Sequence, residues 1–222
     1  MKPRLPWLTL LFAAVAGALA LLPGAADALQ LDRSATGLGG LTRGLTAHLV
    51  HFNANHLAWD VGTLLLLGTW AEVLSRRGML RTFLLSAGTI SAAVWFLQPQ
   101  FDHYRGLSGI DSAMFGFAVA HLFRSARMKR DLETVLTAVA AALLFAGKSA
   151  FELWTGSTLF AEPSTAFAAV PLAHLVGFAT GAWVGGVSGH FKNQLSSRAR
   201  PGRVWRSSQM DCVAARQAGT SQ

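Results

Sequence analysis

Two residues far apart in the chain, a serine and a histidine, each open an apolar stretch, and together they could carry acyl transfer. Ser108 stands in Gly106-Leu107-Ser108-Gly109, where a polar loop turns into an apolar run, and His174 stands in Ala173-His174-Leu175-Val176-Gly177 at the head of another. A serine hydroxyl is a weak nucleophile until an adjacent base takes its proton, and imidazole suits that task near neutral pH. At a helix start Ser108 would also lie beside free N–H groups and the positive end of the dipole, where an oxyanion is stabilised. The plainer alternative is a serine that only caps its helix. For His174 it is a ring that only bonds a backbone carbonyl, although an ionisable group in an apolar helix points first to function.

Bringing the two together needs a particular packing. His174 is followed by Gly177, Gly181, Gly185 and Gly189, one glycine every four residues along one helix face. Such a stripe lets another backbone approach closely. The run after Ser108 offers a matching small-residue face in Gly109, Ala113, Gly116 and Ala120. If the two faces meet, nucleophile and base meet near the outer side of a membrane.

A third group, His48, His51, His56 and Asp60, falls where a loop leads into an apolar run. His56 and Asp60 are four apart and share a helix face. Imidazole and carboxylate are also ordinary zinc ligands, so the cluster has a second reading as a metal site, without a recognisable zinc spacing.

The elements that must position these residues are helices in lipid. The chain has 222 residues, 52% hydrophobic and only 14% charged, more apolar surface than a soluble domain of this size buries. Six apolar stretches lie at roughly 7–26, 56–74, 79–98, 108–123, 133–151 and 166–189. Each approaches the ~20 residues that cross a hydrocarbon core as a helix, the fourth being short. An all-α, polytopic six-transmembrane-helix bundle is therefore expected over residues 1–190, followed by a basic, disordered tail over 191–222.

The charge pattern orients the bundle. Lys2 and Arg4, then Arg76, Arg77 and Arg81, then Arg124, Arg127, Lys129 and Arg130, then six more after span six, place 15 of the 19 Lys and Arg on alternate connections. By the positive-inside rule both termini are cytoplasmic and loops 27–55, 99–107 and 152–165 face outward. The formal charge of +8 is explained by topology, and no basic, aromatic-interleaved surface speaks for nucleic acid. Ala26-Asp27-Ala28 behind an apolar run also fits a signal-peptide cleavage site, but the run exceeds the usual ~7–15 residues of a signal core, and a retained span keeps the helix count even. The lone Cys212 excludes an internal disulfide or a cysteine-rich metal cluster.

These residues resemble the rhomboid intramembrane serine proteases over essentially all six stretches. Gly106-Leu107-Ser108-Gly109 is like the family's G-x-S-G, and Ala173-His174-Leu175-Val176-Gly177 with Gly181 is like its A-H-x-x-G-x-x-x-G helix. His51 to His56 followed by Asp60 is similar to the H-x4-H-x3-N of the second span, Gly68 to Glu72 resembles its G-x-x-x-E, and Arg43 falls where the first outer loop often carries an arginine. The resemblance implies Ser108 as nucleophile and His174 as base. It also implies an oxyanion held by the Ser108 N–H and His56, with Asp60, His51, Gly106 and Gly109 in support, and neither cofactor nor metal.

Two positions depart from the family. Asp60 replaces the asparagine, and an ionised carboxylate cannot donate a hydrogen bond, so Asp60 is either protonated or orients His56. Ser112 stands where an aromatic often stacks on the base. Asp111, in the first helical turn, reads as a carboxylate favoured by the helix dipole, and the sequence suggests no acid to complete a triad.

Tyr104 to Gly109 and Gly147-Lys148 through Glu152 look most like the rhombosortase group. This narrower resemblance implies an endopeptidase of the cell inner membrane acting on membrane protein substrates with a transmembrane or C-terminal sorting helix, the acyl-enzyme being resolved by water or an amine. The lipid bilayer is then its other partner. Competing classes are a metal-dependent membrane hydrolase or metal carrier using His48, His51, His56 and Asp60, and a non-catalytic rhomboid-like binder of membrane helices.

Overall fold

In the computed structural model, residues 5–35, 37–155 and 170–187 are described. Among the described residues eight α-helices run in order: α1 (Trp7–Ala20), α2 (Ala25–Leu29), α3 (Gly37–Thr46), α4 (Ala54–Thr63), α5 (Thr69–Leu97), α6 (Ser108–Lys129), α7 (Leu132–Thr155) and α8 (Pro171–Val187). A two-residue antiparallel pair, β1 (Leu31–Asp32) with β2 (His103–Tyr104), is the only sheet among the described residues. The chain is thus all-α, and each expected apolar stretch contains a helix. The domain boundary at 190/191, the tail 191–222, loop residues 156–169 and Gly189 lie outside the described residues.

Boundaries differ from expectation in physically readable ways. The first stretch ends its helix at Ala20, and the candidate cleavage site lies in the separate helix α2. The stretch after Ser108 stays helical to Lys129, ending at Arg130 in the left-handed region. Among the described residues, two helical segments are long and apolar enough to cross a membrane, Ala54–Leu97 and Leu132–Thr155, whereas Trp7–Ala20 and Pro171–Val187 are apolar but shorter.

Ala54–Leu97 comprises α4, a wider π-turn over Leu64–Gly68, and α5. It breaks at Ser75, whose φ of −164° and ψ of 104° are extended. Ser75 Oγ accepts the Gly78 N–H at 3.1 Å, the side-chain cap that starts a new helix. The chain then returns. His56 and Asp60 lie against Gly106, while Ile90, thirty residues beyond Asp60, lies against the adjacent Gly109. The expected second and third stretches are the two legs of this hairpin.

Buried polar groups tie the legs to their neighbours. Glu72 Oε2 accepts from Thr9 N–H at 2.9 Å and Thr9 Oγ1 at 3.0 Å, and Oε1 accepts from Arg76 Nε at 2.9 Å. A carboxylate thereby satisfies donors that the first turn of α1 leaves without helical partners. Gly68, four residues earlier, gives Thr9 the room to approach, which explains the G-x-x-x-E spacing. Arg33 donates to the Phe101, Val94, Trp95 and Gln98 carbonyls at 2.8–3.1 Å, closing the C-terminal end of α5.

The tightest helix pair is α6 with α8. Gly177, Gly181 and Gly185 press on the carbonyls of Gly109, Ala113 and Phe117, and Gly116 on that of Phe178. A Cβ at any of these four would overlap the facing backbone. The four-residue glycine spacing and the small face of α6 meet as expected, although the α6 partners are as much carbonyls as side chains.

Candidate active site

The loop before Ser108 is fixed at both ends. The β1–β2 pair joins Leu31 to Tyr104 and Asp32 to His103, and the Gly106 N–H donates to the Ala47 carbonyl at 3.1 Å. Gly106 has φ +128°, and a Cβ there would stand 2.7 Å from His56 Cε1 and 3.2 Å from Asp60 Oδ2. Conformation and space both demand glycine at this position.

Leu107 is the residue preceding helix α6, with no side-chain cap. Ser108 is therefore the first helical residue and not a capping one. Its N–H has no acceptor within the helix. The Leu107 N–H is occupied, donating to Asp60 Oδ2 at 2.8 Å. Ser112 donates to the Ser108 carbonyl at 2.9 Å, one turn below.

Asp60 Oδ2 also lies 3.2 Å from His51 Nε2 and 3.2 Å from His56 Nε2. Helix α4 starts where it must for this, because Asn53 Oδ1 caps it by accepting the His56 N–H at 2.8 Å. His48 takes another direction. Its Nε2 lies 3.0 Å from the Ala87 carbonyl and 3.1 Å from Ser91 Oγ on α5, while Ser91 donates to the Gly44 carbonyl. His48, in the 3₁₀ turn over Ala47–Leu49, is fully buried, and burial pushes its ring down to about 4, so it stays neutral. Among the described residues no group of three or more His, Cys, Asp or Glu is arranged to hold a metal ion.

His174 opens into the same space as Ser108. The Ala173 carbonyl oxygen lies 3.2 Å from where a Gly109 Cβ would be, so the residues flanking this contact, Ser108 and His174, stand at one level. Both line a cavity of ≈ 390 Å³ together with His56, Asp60, Asp111, Lys148 and Glu152. Its apolar wall includes Trp59, Phe115 and Phe145, and Phe145 stacks on Phe178 with ring centres 4.4 Å apart. Gly109 lies beneath, held between Ile90 and Ala173.

Two further carboxylates belong to the site, one placed as expected and one not. Asp111 lies in the first turn of α6 as expected; it is 3% exposed, and its oxygens have no hydrogen-bond partner among the described residues. Glu152, passed over as an acid, places Oε2 3.1 Å from His174 Nδ1 and is 1% exposed. The only local hint was the i, i+4 pair Lys148–Glu152 on an apolar helix, which signals a charge that needs company.

Residues 38–191 match the family model described as the Rhomboid domain. The matched range holds α3 to α8, with Ser108 and His174 inside it. No curated protein matches the chain.

Proposed function

The chain belongs to the rhomboid family, and on that premise we propose that it is an intramembrane serine endopeptidase working through Ser108 and His174. Family members act on membrane protein substrates within the bilayer. The observation that carries the reading is that two helices wedged together at backbone distance bring a serine at a helix start and a buried histidine to one cavity.

In the proposed reaction His174 takes the Ser108 proton, and Ser108 Oγ attacks a peptide carbonyl where the substrate helix is unwound. The oxyanion is received by the Ser108 N–H and His56, donors already fixed in a largely apolar cavity. Asp60 supports them by holding the Leu107 N–H and by lying against the two histidines. The imidazolium returns its proton to the leaving amine, and water, or an amine in a transfer reaction, releases the acyl group.

The substrates proposed are proteins bearing a transmembrane or C-terminal sorting helix, handled at the cell inner membrane by a rhombosortase-like enzyme with both termini in the cytoplasm. Small residues in such a helix favour the local unwinding that attack requires. The metal-based alternative loses support because His48 faces α5, away from Asp60.

The test is labelling by a fluorophosphonate probe in liposomes, with cleavage of a transmembrane reporter alongside. Wild type is expected to label and cleave, while Ser108→Ala and His174→Ala keep their fold and lose cleavage by about 10³-fold or more. Labelling that persists unchanged in Ser108→Ala would remove the nucleophile.

A further inference from the structure

A serine and a histidine suffice only if the imidazole is held in one tautomer. The nitrogen facing the serine must be bare, so the proton must sit on the other one and be anchored there. Glu152 occupies the place of such an anchor. Its Oε2 lies 3.1 Å from His174 Nδ1, and it reaches there from α7, a different helix from that of either partner.

A second group competes for the same nitrogen. Lys148 Nζ stands 3.4 Å from His174 Nδ1, and if Nδ1 accepted a hydrogen bond from it, the ring's own hydrogen would sit on Nε2, which could then not act as a base. The distances decide against this. Lys148 Nζ is 2.8 Å from Glu152 Oε2 and 2.8 Å from Oε1, so the ammonium is committed to the carboxylate. A charge-assisted bond of that length outweighs a longer one to a neutral ring nitrogen. Asp111 and Asp60 share the cavity, but no contact joins them to Nδ1 among the described residues.

We infer that Glu152 is the positioning residue of His174, making the site a Ser108–His174–Glu152 triad, with Lys148 fixing the carboxylate one helical turn away. The inference rests on the proposed roles of Ser108 and His174. The Nδ1 proton stays on His174 and bonds Glu152 throughout. Nε2 takes the Ser108 proton as the acyl bond forms and passes it to the leaving amine, and Glu152 remains ionised.

The experiment uses the full chain in liposomes and reads the rate of fluorophosphonate labelling, with kcat and KM for a transmembrane reporter. Glu152→Gln, of the same shape, is expected to slow labelling by about 10²-fold or more, given that losing a triad acid elsewhere costs about 10⁴-fold. The loss should fall on kcat with KM moving less than about threefold, and Glu152→Asp should recover part of it. In a His174→Ala background Glu152→Gln should cost nothing further, whereas general damage to packing would slow labelling in both backgrounds.

The inference is overturned if Glu152→Gln labels within about threefold of wild type, or if its cost is the same with His174 removed. It is equally overturned if Lys148→Met labels faster than wild type, since the ammonium would then have been holding the unproductive tautomer. Failure of the underlying reading looks different: wild type would not label at all, or Ser108→Ala would label as well as wild type.

Discussion

Gly181 rests directly on the carbonyl of Ala113, so closely that a Cβ on Gly181 would overlap the Ala113 oxygen and carbon. The neighbouring Gly186 faces open space, with nothing within 4 Å of its Cβ position. Gly181→Ala is expected to force α8 away from α6 at a cost of about 1–3 kcal/mol and to slow labelling of Ser108. Gly186→Ala should be neutral or slightly stabilising, because alanine is the better helix former. Thermal unfolding in detergent checks both, and equal effects would mean that the two helices are not in contact through this stripe.

Gly106 is held at φ +128° with His56 and Asp60 against its missing side chain. Gly106→Ala combines a backbone penalty of about 1–3 kcal/mol with displacement of the His56 ring. The expected outcome is a folded protein with labelling reduced by about tenfold or more, since small misplacements at a reacting centre are costly. Wild-type labelling in this variant would show that His56 takes no part.

Asp60 can be judged by comparing two replacements. Asparagine keeps an acceptor for the Leu107 N–H, whereas alanine leaves that buried donor and two histidines without it. Asp60→Ala is expected to lose about 1–3 kcal/mol and most labelling, while Asp60→Asn should stay within about 1 kcal/mol of wild type in stability. Equal melting temperatures for Asp60→Ala and wild type would remove the anchoring role of the carboxylate.

His48 gives the turn over Ala47–Leu49 a pH dependence with a definite sign. Burial lowers its folded value from 6.5 to about 4, so the unfolded chain binds a proton that the folded chain refuses. Its contribution is fully present above about pH 6.5, falls as the pH drops toward 4, and levels off below that. The loss reaches about 3 kcal/mol at most. His48→Gln keeps a donor for the Ala87 carbonyl and cannot titrate, so its stability relative to wild type should rise as the pH falls from 6.5 to 4. A difference that does not vary with pH would mean that His48 is not buried neutral.

What the sequence determined by itself was everything carried by short-range periodicity. Apolar runs become helices because a helix satisfies its own backbone, and the four-residue spacing of Gly177, Gly181 and Gly185 prepares a face for another backbone wherever that backbone comes from. Gly106 and Ser108 were legible for the same reason, since a strained turn and a helix start are local events. The tertiary structure alone decided which side chains meet. Three histidines within nine positions look like one cluster, yet the 3₁₀ turn over Ala47–Leu49 and the extended Val50 send His48 to α5 and leave His51 and His56 with Asp60. Glu152 meets His174 across twenty-two residues because of how α7 and α8 are rotated about their axes. No residue pattern within either helix encodes that rotation; across the contact Phe145 of α7 stacks on Phe178 of α8, with Phe115 of α6 against both.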